Sequence, residues 1–215
     1  FLPENTDPEW PDYSFGGWVV LNNDIALIAG FAGVYVYNVK TGKRLHILKH
    51  RDWSDFALSG NIALITSTPT WDWDGNRTTP GSVYMFDVTT GAQLDKIELE
   101  NPAPMEHFGW SVSLDGNIAL IGSLTAVYVY DINTMQQLRK LSPDDLVIDE
   151  ESVDDFGSST ALSNGHALIS ASTGSAYLFD INTGRQLHKF LPDNEEDSRF
   201  GSPVALNGNL ALIGG

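Results

Sequence analysis

The chain has 215 residues, with 28 acidic against 12 basic side chains, a formal net charge of −16, 42% hydrophobic residues and no cysteine. The apolar content supports a packed core and excludes a disordered chain, while the absence of cysteine excludes disulfide scaffolds, thiolate metal sites and cysteine nucleophiles. So negative a balance repels phosphate backbones and anionic lipid, and no apolar run reaches the ~20 residues of a spanning helix, so neither nucleic-acid binding nor direct membrane insertion is expected.

The opening stretch FLPENTDPEW has no signal-peptide pattern. After it, GWVVL reads as a short strand, Asn22-Asn23 as a polar turn and DIALIAG (24–30) as a second strand. GVYVYNVKTGKRLHIL (33–48) then alternates β-branched and aromatic residues around an Asn-x-x-Thr-Gly turn, the pattern of a third and fourth strand joined by a tight hairpin. The series returns with NIALITS (61–67) and SVYMFDVTTGAQLDKI (82–97), with NIALIGS (117–123) and AVYVYDINTMQQLRKL (126–141), and with HALISAS (166–172) and SAYLFDINTGRQLHKF (175–190). It begins once more at PVALNGNLALIGG. The leucine before each turn falls at Leu21, Leu58, Leu114, Leu162 and Leu206, in steps of 37, 56, 48 and 44 residues, and the mean of about 46 is the period of propeller blades.

The expected fold is therefore an all-β propeller of four-stranded antiparallel blades, with repeats beginning near residues 15, 52, 108, 156 and 200. Four blades are complete and a fifth is half present, so residues 1–215 form a single propeller domain or a segment of a larger propeller. An unclosed edge on LALIGG would be a bare strand, which implies a longer polypeptide or another chain that supplies the missing strands.

Phe15-Gly16, Phe108-Gly109, Phe156-Gly157 and Phe200-Gly201 before the first strands, the I-A-L-I-G segment, and G-S-V-Y-x-F-D followed by T-G-x-x-L resemble the FG-GAP repeat propellers, especially their secreted bacterial-type branch. The resemblance covers nearly the whole chain. It implies protein recognition without catalysis, on a ring that has seven blades in integrin-type members, and an extracytoplasmic location. Repeat 2 departs from the pattern, with Asp52-Trp53 where Phe-Gly is expected, and repeat 3 carries Thr134-Met135 in place of Thr-Gly, so its third turn is expected to change type.

In such a meander the long connections emerge on one face, and most of the carboxylates lie in them. Most of the basic residues fall instead on fourth strands, where lysine discourages edge-to-edge pairing. The acidic face suggests a basic protein partner, or membership of a larger assembly. Asp144 to Glu151 is the best single segment, with Leu146 in an apolar centre and Asp149, Glu150 and Glu151 beside it.

Asp72, Asp74 and Asn76, around Gly75 in the longest loop, place oxygen atoms at alternate positions, as a Ca²⁺ loop requires. The integrin-type motif, by contrast, sits between strands one and two, where this chain has short turns, and no downstream carboxylate completes EF-hand spacing. An Asx-type turn is the competing account. Trp71 and Trp73 flank these acids and would suit a glycan, the alternative ligand to a protein; packing beneath the loop is their ordinary fate. Asn76-Arg77-Thr78 is a glycosylation sequon, informative only for a protein secreted by a eukaryote.

Catalysis is not expected. Propeller glycosidases need two carboxylates converging on the axis, but the axial strands read GWVVL, SDFAL, WSVSL, SSTAL and SPVAL, in which Asp55 is the acidic residue. The five histidines are scattered, with His46 and His188 on outer strands, and suggest neither a metal triad nor a Ser-His-Asp set.

Overall fold

The computed structural model describes residues 15–49, 53–71, 77–79, 81–100, 106–145, 155–172, 174–193 and 200–215. Every regular element among them is a β-strand. β1 (Val19–Asn22), β2 (Ile25–Gly30), β3 (Gly33–Asn38) and β4 (Lys43–Leu48) pair in chain order as the first antiparallel sheet. In the second, β5 (Phe56–Ser59) and β6 (Ile62–Ser67) are followed by a small separate ribbon, β7 (Thr70–Trp71) with β8 (Arg77–Thr79), before β9 (Ser82–Asp87) and β10 (Gln93–Glu98) complete the sheet. Sheets three and four are β11 (Val112–Asp115), β12 (Ile118–Gly122), β13 (Val127–Asp131) and β14 (Gln136–Leu141), then β15 (Thr160–Ser163), β16 (His166–Ala171), β17 (Ser175–Asp180) and β18 (Gln186–Phe190). β19 (Val204–Asn207) and β20 (Leu210–Ile213) pair as a two-stranded fifth.

First strands neighbour one another in the series β1, β5, β11, β15, β19, so the sheets fan from a shared inner edge in a propeller-like fold. Sheets two, three and four are covered on both sides, which is why their second strands are continuously apolar rather than alternating. Leu27, Leu64, Leu120 and Leu168 face forward, toward the next repeat. The intervening Ala63, Ile65, Ala119, Ile121, Ala167 and Ile169 face back, toward the preceding one.

Phe-Gly pairs anchor the entry of sheets one, three and four. Phe15, Phe108 and Phe156 meet the third-strand rings of Tyr35, Tyr128 and Tyr177 edge-on, with centroids 5.3, 5.4 and 5.6 Å apart. The glycine that follows takes φ of +90 at Gly109 and +107 at Gly157, a backbone that side-chain-bearing residues rarely adopt. In repeat 2, Trp53 occupies the glycine's place, and its ring lies 5.8 Å from Phe56 in the interface between sheets one and two.

The third turns are Asx turns. Asp87, Asp131 and Asp180 accept the N–H groups of the residues two and three positions on, at 2.7–3.3 Å. These bonds hold all three carboxyls below the usual range, led by the Thr89 hydroxyl for Asp87 and by the backbone N–H groups of Asn133 and Thr183 for Asp131 and Asp180. A left-handed residue closes each turn: Gly42, Gly91, Gly184 and, at φ 57, Met135. Repeat 3 therefore keeps the turn that its Met135 was expected to change, and the methionine side chain packs against the interface of sheets two and three.

On the rim, the leucine of each T-G-x-x-L is the extra residue of a β-bulge. Leu45, Leu94, Leu138 and Leu187 are each skipped in the pairing of the third and fourth strands. Such a kink twists the outer edge away from intermolecular pairing. The rim lysines are pinned as well. Lys96, Lys140 and Lys189 stand opposite Tyr84, Tyr128 and Tyr177, with ammonium groups 5.0, 5.0 and 5.2 Å from the ring centroids. Each also reaches a carboxylate: Glu98, Glu106 at 3.8 Å, and Asp145 at 2.5 Å.

Candidate functional site

The inner ends of the sheets converge on a cavity of about 580 Å³, to which all five repeats contribute. Trp18 comes from the first, Ser54 and Asp55 from the second, Trp110 and Ser111 from the third, Ser158 to Thr160 from the fourth, and Ser202 and Pro203 from the fifth. These side chains precede or open the first strands, where the sheet edges are closest and small hydroxyl residues fit. Both tryptophans are roughly half exposed.

Asp55 ties three repeats together. Its Oδ2 accepts the Val112 N–H at 2.8 Å, its Oδ1 accepts the Phe56 N–H at 2.8 Å, and the side chain of Trp18 hydrogen-bonds the same carboxylate. Burial outweighs these donors and pushes the carboxyl up to about 6. The neighbouring hydroxyls make similar stitches. Ser111 Oγ donates to the Gly157 carbonyl at 2.8 Å, Ser54 Oγ to the Gly109 carbonyl at 2.9 Å, and Ser159 Oγ accepts the Val204 N–H at 3.2 Å. At the far ends of the first strands, Ser59 and Ser163 accept the N–H groups of Gly116 and Gly208, both at 3.1 Å. Removing the Ser111 hydroxyl strands a buried carbonyl, so Ser111→Ala is expected to lower stability by about 1–2 kcal/mol in a denaturant titration with unchanged m.

The Ser54 and Ser111 hydroxyl hydrogens are spent on backbone carbonyls, so what these two side chains offer a ligand is lone pairs, and beside them stand the faces of two indoles and one carboxyl group. Among the described residues lining the cavity, Asp55 carries the one carboxylate. The sequence singled out Asp55 but missed Trp18 and Trp110. Their signal is positional: aligned on the leucines of the first strands, Trp18 stands in register with Asp55, Ser111 and Ser159, and Trp110 with Ser54 and Ser158.

The loop residues lie elsewhere. Trp71 ends β7, so the longest connection contains a ribbon where only loop was expected. Asp72, Trp73, Asp74 and Asn76, and likewise Leu146, Asp149, Glu150 and Glu151, fall outside the described residues. Among the described residues no group of three or more His, Asp or Glu side chains is placed to hold a metal ion. Two carboxylates of the long connections, Glu106 and Asp145, are engaged within the protein. Glu106 is buried beside Lys140 and the Thr125 hydroxyl, where with burial it holds the Tyr128 phenol above its usual range, and Asp145 is paired with Lys189.

No protein-family model and no curated protein matches the chain. Among solved structures, the chain is similar to two computationally designed proteins. The match to Ika8 has a TM-score of 0.59 at 21% identity and covers 91% of this chain and 54% of the Ika8 chain. The match to Ika4 has a TM-score of 0.54 at 20% identity and covers 80% of this chain and 92% of that one. The chain thus spans about half the length of Ika8, and at such identity the likeness shows the fold alone.

Proposed function

We propose that this protein is a non-catalytic binding propeller of FG-GAP type, extracytoplasmic, whose ligand is a neutral saccharide held in the axial cavity between Trp18 and Trp110. The observation that carries the reading is the composition of the cavity wall. Indole faces supply apolar area matched to the C–H faces of a sugar ring, and the hydroxyl-rich wall accepts hydrogen bonds from sugar hydroxyls. A formal charge of −16 and the Asp55 carboxyl disfavour an anionic ligand. The left-handed glycines after Phe15, Phe108 and Phe156 support the FG-GAP assignment, since they give the repeated dipeptide a structural reason.

Tryptophan fluorescence titrated with neutral oligosaccharides tests the reading. A saturable change is expected, with affinity at least tenfold weaker in Trp110→Ala, about 1.4 kcal/mol. Saccharide binding that survives both Trp18→Ala and Trp110→Ala would move the site to Trp71 and Trp73, and no response to any saccharide would sink the proposal. The acidic loop segment Asp149 to Glu151 then serves to steer a basic protein partner, and a Ca²⁺ ion at Asp72 and Asp74 remains part of the proposal as a support for the longest loop.

A further inference from the structure

Where successive sheets meet near the rim, one position of the fourth strand reaches across to the third turn of the next repeat. In the first sheet that position is His46, opposite Val36, and in the third it is Arg139, opposite Val129. His46 Nε2 donates to the Thr89 carbonyl at 2.8 Å. Arg139 donates from Nε to the Ile181 carbonyl at 2.9 Å and from Nη2 to the Asn182 carbonyl. Thr89 and Asn182 hold the same place in their turns, two residues after Asp87 and Asp180. Both bridging side chains also lie against the left-handed glycine of the turn they reach. A methyl group added to Gly91 would stand 2.8 Å from His46 Nδ1, and one added to Gly184 would stand 3.4 Å from Arg139 Cδ.

The interface between sheets two and three departs from this arrangement on both sides. Its bridging position, opposite Met85, is Asp95, an acceptor where the others donate, and the glycine of the facing turn is replaced by Met135. Among the described residues no side chain donates to the Ile132 or Asn133 carbonyl, and the Asp95 carboxylate takes the Lys96 N–H at 2.8 Å but no cation. In place of a bridge there is a groove of about 460 Å³. Ile97, Leu99, Tyr130 and Met135 give it apolar walls, while Asp95 and Glu100 stand exposed at its edge. Lys96, which also lines it, is already paired with Glu98, so the groove presents two carboxylates with no cation opposite them among the described residues. Both flanking sheets have all four strands and lie within the series, with complete sheets beyond them on either side.

We propose that this groove receives an arginine side chain of a protein partner, with its guanidinium on the Asp95 carboxylate and its aliphatic stem along Leu99 and Met135. The chain carries its own precedent, because at the next interface Arg139 fills the equivalent place from within. Arginine suits the site better than lysine. Its planar fork donates two parallel hydrogen bonds to one carboxylate, and its weakly hydrated head loses less on leaving water. A net charge of −16 favours the approach of a cationic segment, and that attraction fades as salt rises. The groove shares no residue with the axial cavity, so a saccharide bound there neither competes with this contact nor needs it. The basic partner steered by the acidic loops is the natural source of the arginine. A tripeptide probe has no need of that steering, so its failure to bind counts against the groove alone.

NMR of the 215-residue chain, carrying carbon-13 in its methionine methyl groups and titrated with acetyl-Gly-Arg-Gly-amide, provides the test. The Met135 methyl resonance, assigned through Met135→Leu, is expected to shift saturably with a Kd on the order of millimolar, and the lysine analogue of the peptide to bind several-fold more weakly. Asp95→Asn is expected to weaken the arginine peptide roughly tenfold. Asp95→Arg, which supplies a cation from within, is expected to abolish binding. Asp193→Asn removes the same charge from an exposed aspartate outside the groove and is expected to leave the affinity unchanged. All three substitutions are at exposed positions, and circular dichroism of each variant is expected to match the parent. The proposal is overturned if no saturable shift appears, if the lysine peptide binds as tightly, if either Asp95 variant binds like the parent, or if Asp193→Asn weakens binding as much as Asp95→Asn.

Discussion

Gly157→Ala is expected to cost roughly 2–5 kcal/mol of stability, a large effect for a single added methyl group. The backbone there has φ +107, which costs a side-chain-bearing residue roughly 1–2 kcal/mol. The new Cβ would also lie 2.7 Å from the Ser123 carbonyl oxygen and 3.1 Å from both the Ser123 nitrogen and Val127 Cγ2. Two of those neighbours are backbone atoms of the preceding repeat, so the overlap is relieved only by moving one repeat against the next, at about 1–3 kcal/mol. For a domain of this size each kcal/mol lowers Tm by about 2–4 °C. Gly60→Ala is the control, because Gly60 has φ +56 with nothing within 4 Å of the added methyl and should show the backbone cost alone. Equal losses of Tm in the two variants would show that the Phe-Gly glycine has no packing role.

Asp55→Asn is expected to flatten the pH dependence of stability between about pH 4 and pH 7. The Asp55 carboxyl titrates at about 6 in the folded protein against 3.8 for an ordinary aspartate. A folded value raised above the unfolded one means that the folded state holds the proton more tightly. The resulting stabilisation is fully present below pH 3.8 and is lost as pH rises through 6, a change of about 3 kcal/mol. Carboxyls held low by their partners, such as Asp145 beside Lys189, contribute in the opposite sense and lose stability as pH falls. The parent's own curve mixes the two, so the informative quantity is the difference between parent and Asp55→Asn. That difference should favour the parent more at pH 4 than at pH 7. A difference independent of pH would mean that Asp55 is as well solvated folded as unfolded.

Much of the architecture was legible in the chain because its signals are local. Alternating V-Y-V-Y, Asx turns ending in a residue with positive φ, and the recurrence of I-A-L-I each follow from short-range sterics and hydrogen bonding, and their repetition in four blades, with a fifth half present, reinforces each of them. The Met135 turn shows the limit of such a reading. The side chain suggested a different turn, but Asp131 and the strand register impose the left-handed conformation, and packing against the neighbouring sheet accommodates the methionine. Likewise, lysine at a rim position reads as edge protection, and nothing local reveals that Lys140 rests over Tyr128 and reaches Glu106 from a distant loop.

The axial site was the least legible part. Trp18, Asp55, Trp110 and Ser159 are far apart in sequence and share no motif, and they meet because equivalent positions of successive repeats converge at the inner edge. By itself the sequence determined the four strands of each blade, most of the turns between them and the repeat, since each depends on residues within a few positions of one another. Tertiary structure alone decided which side chains face the axis and which carboxylates are consumed as internal partners, because each depends on how one sheet lies against the next.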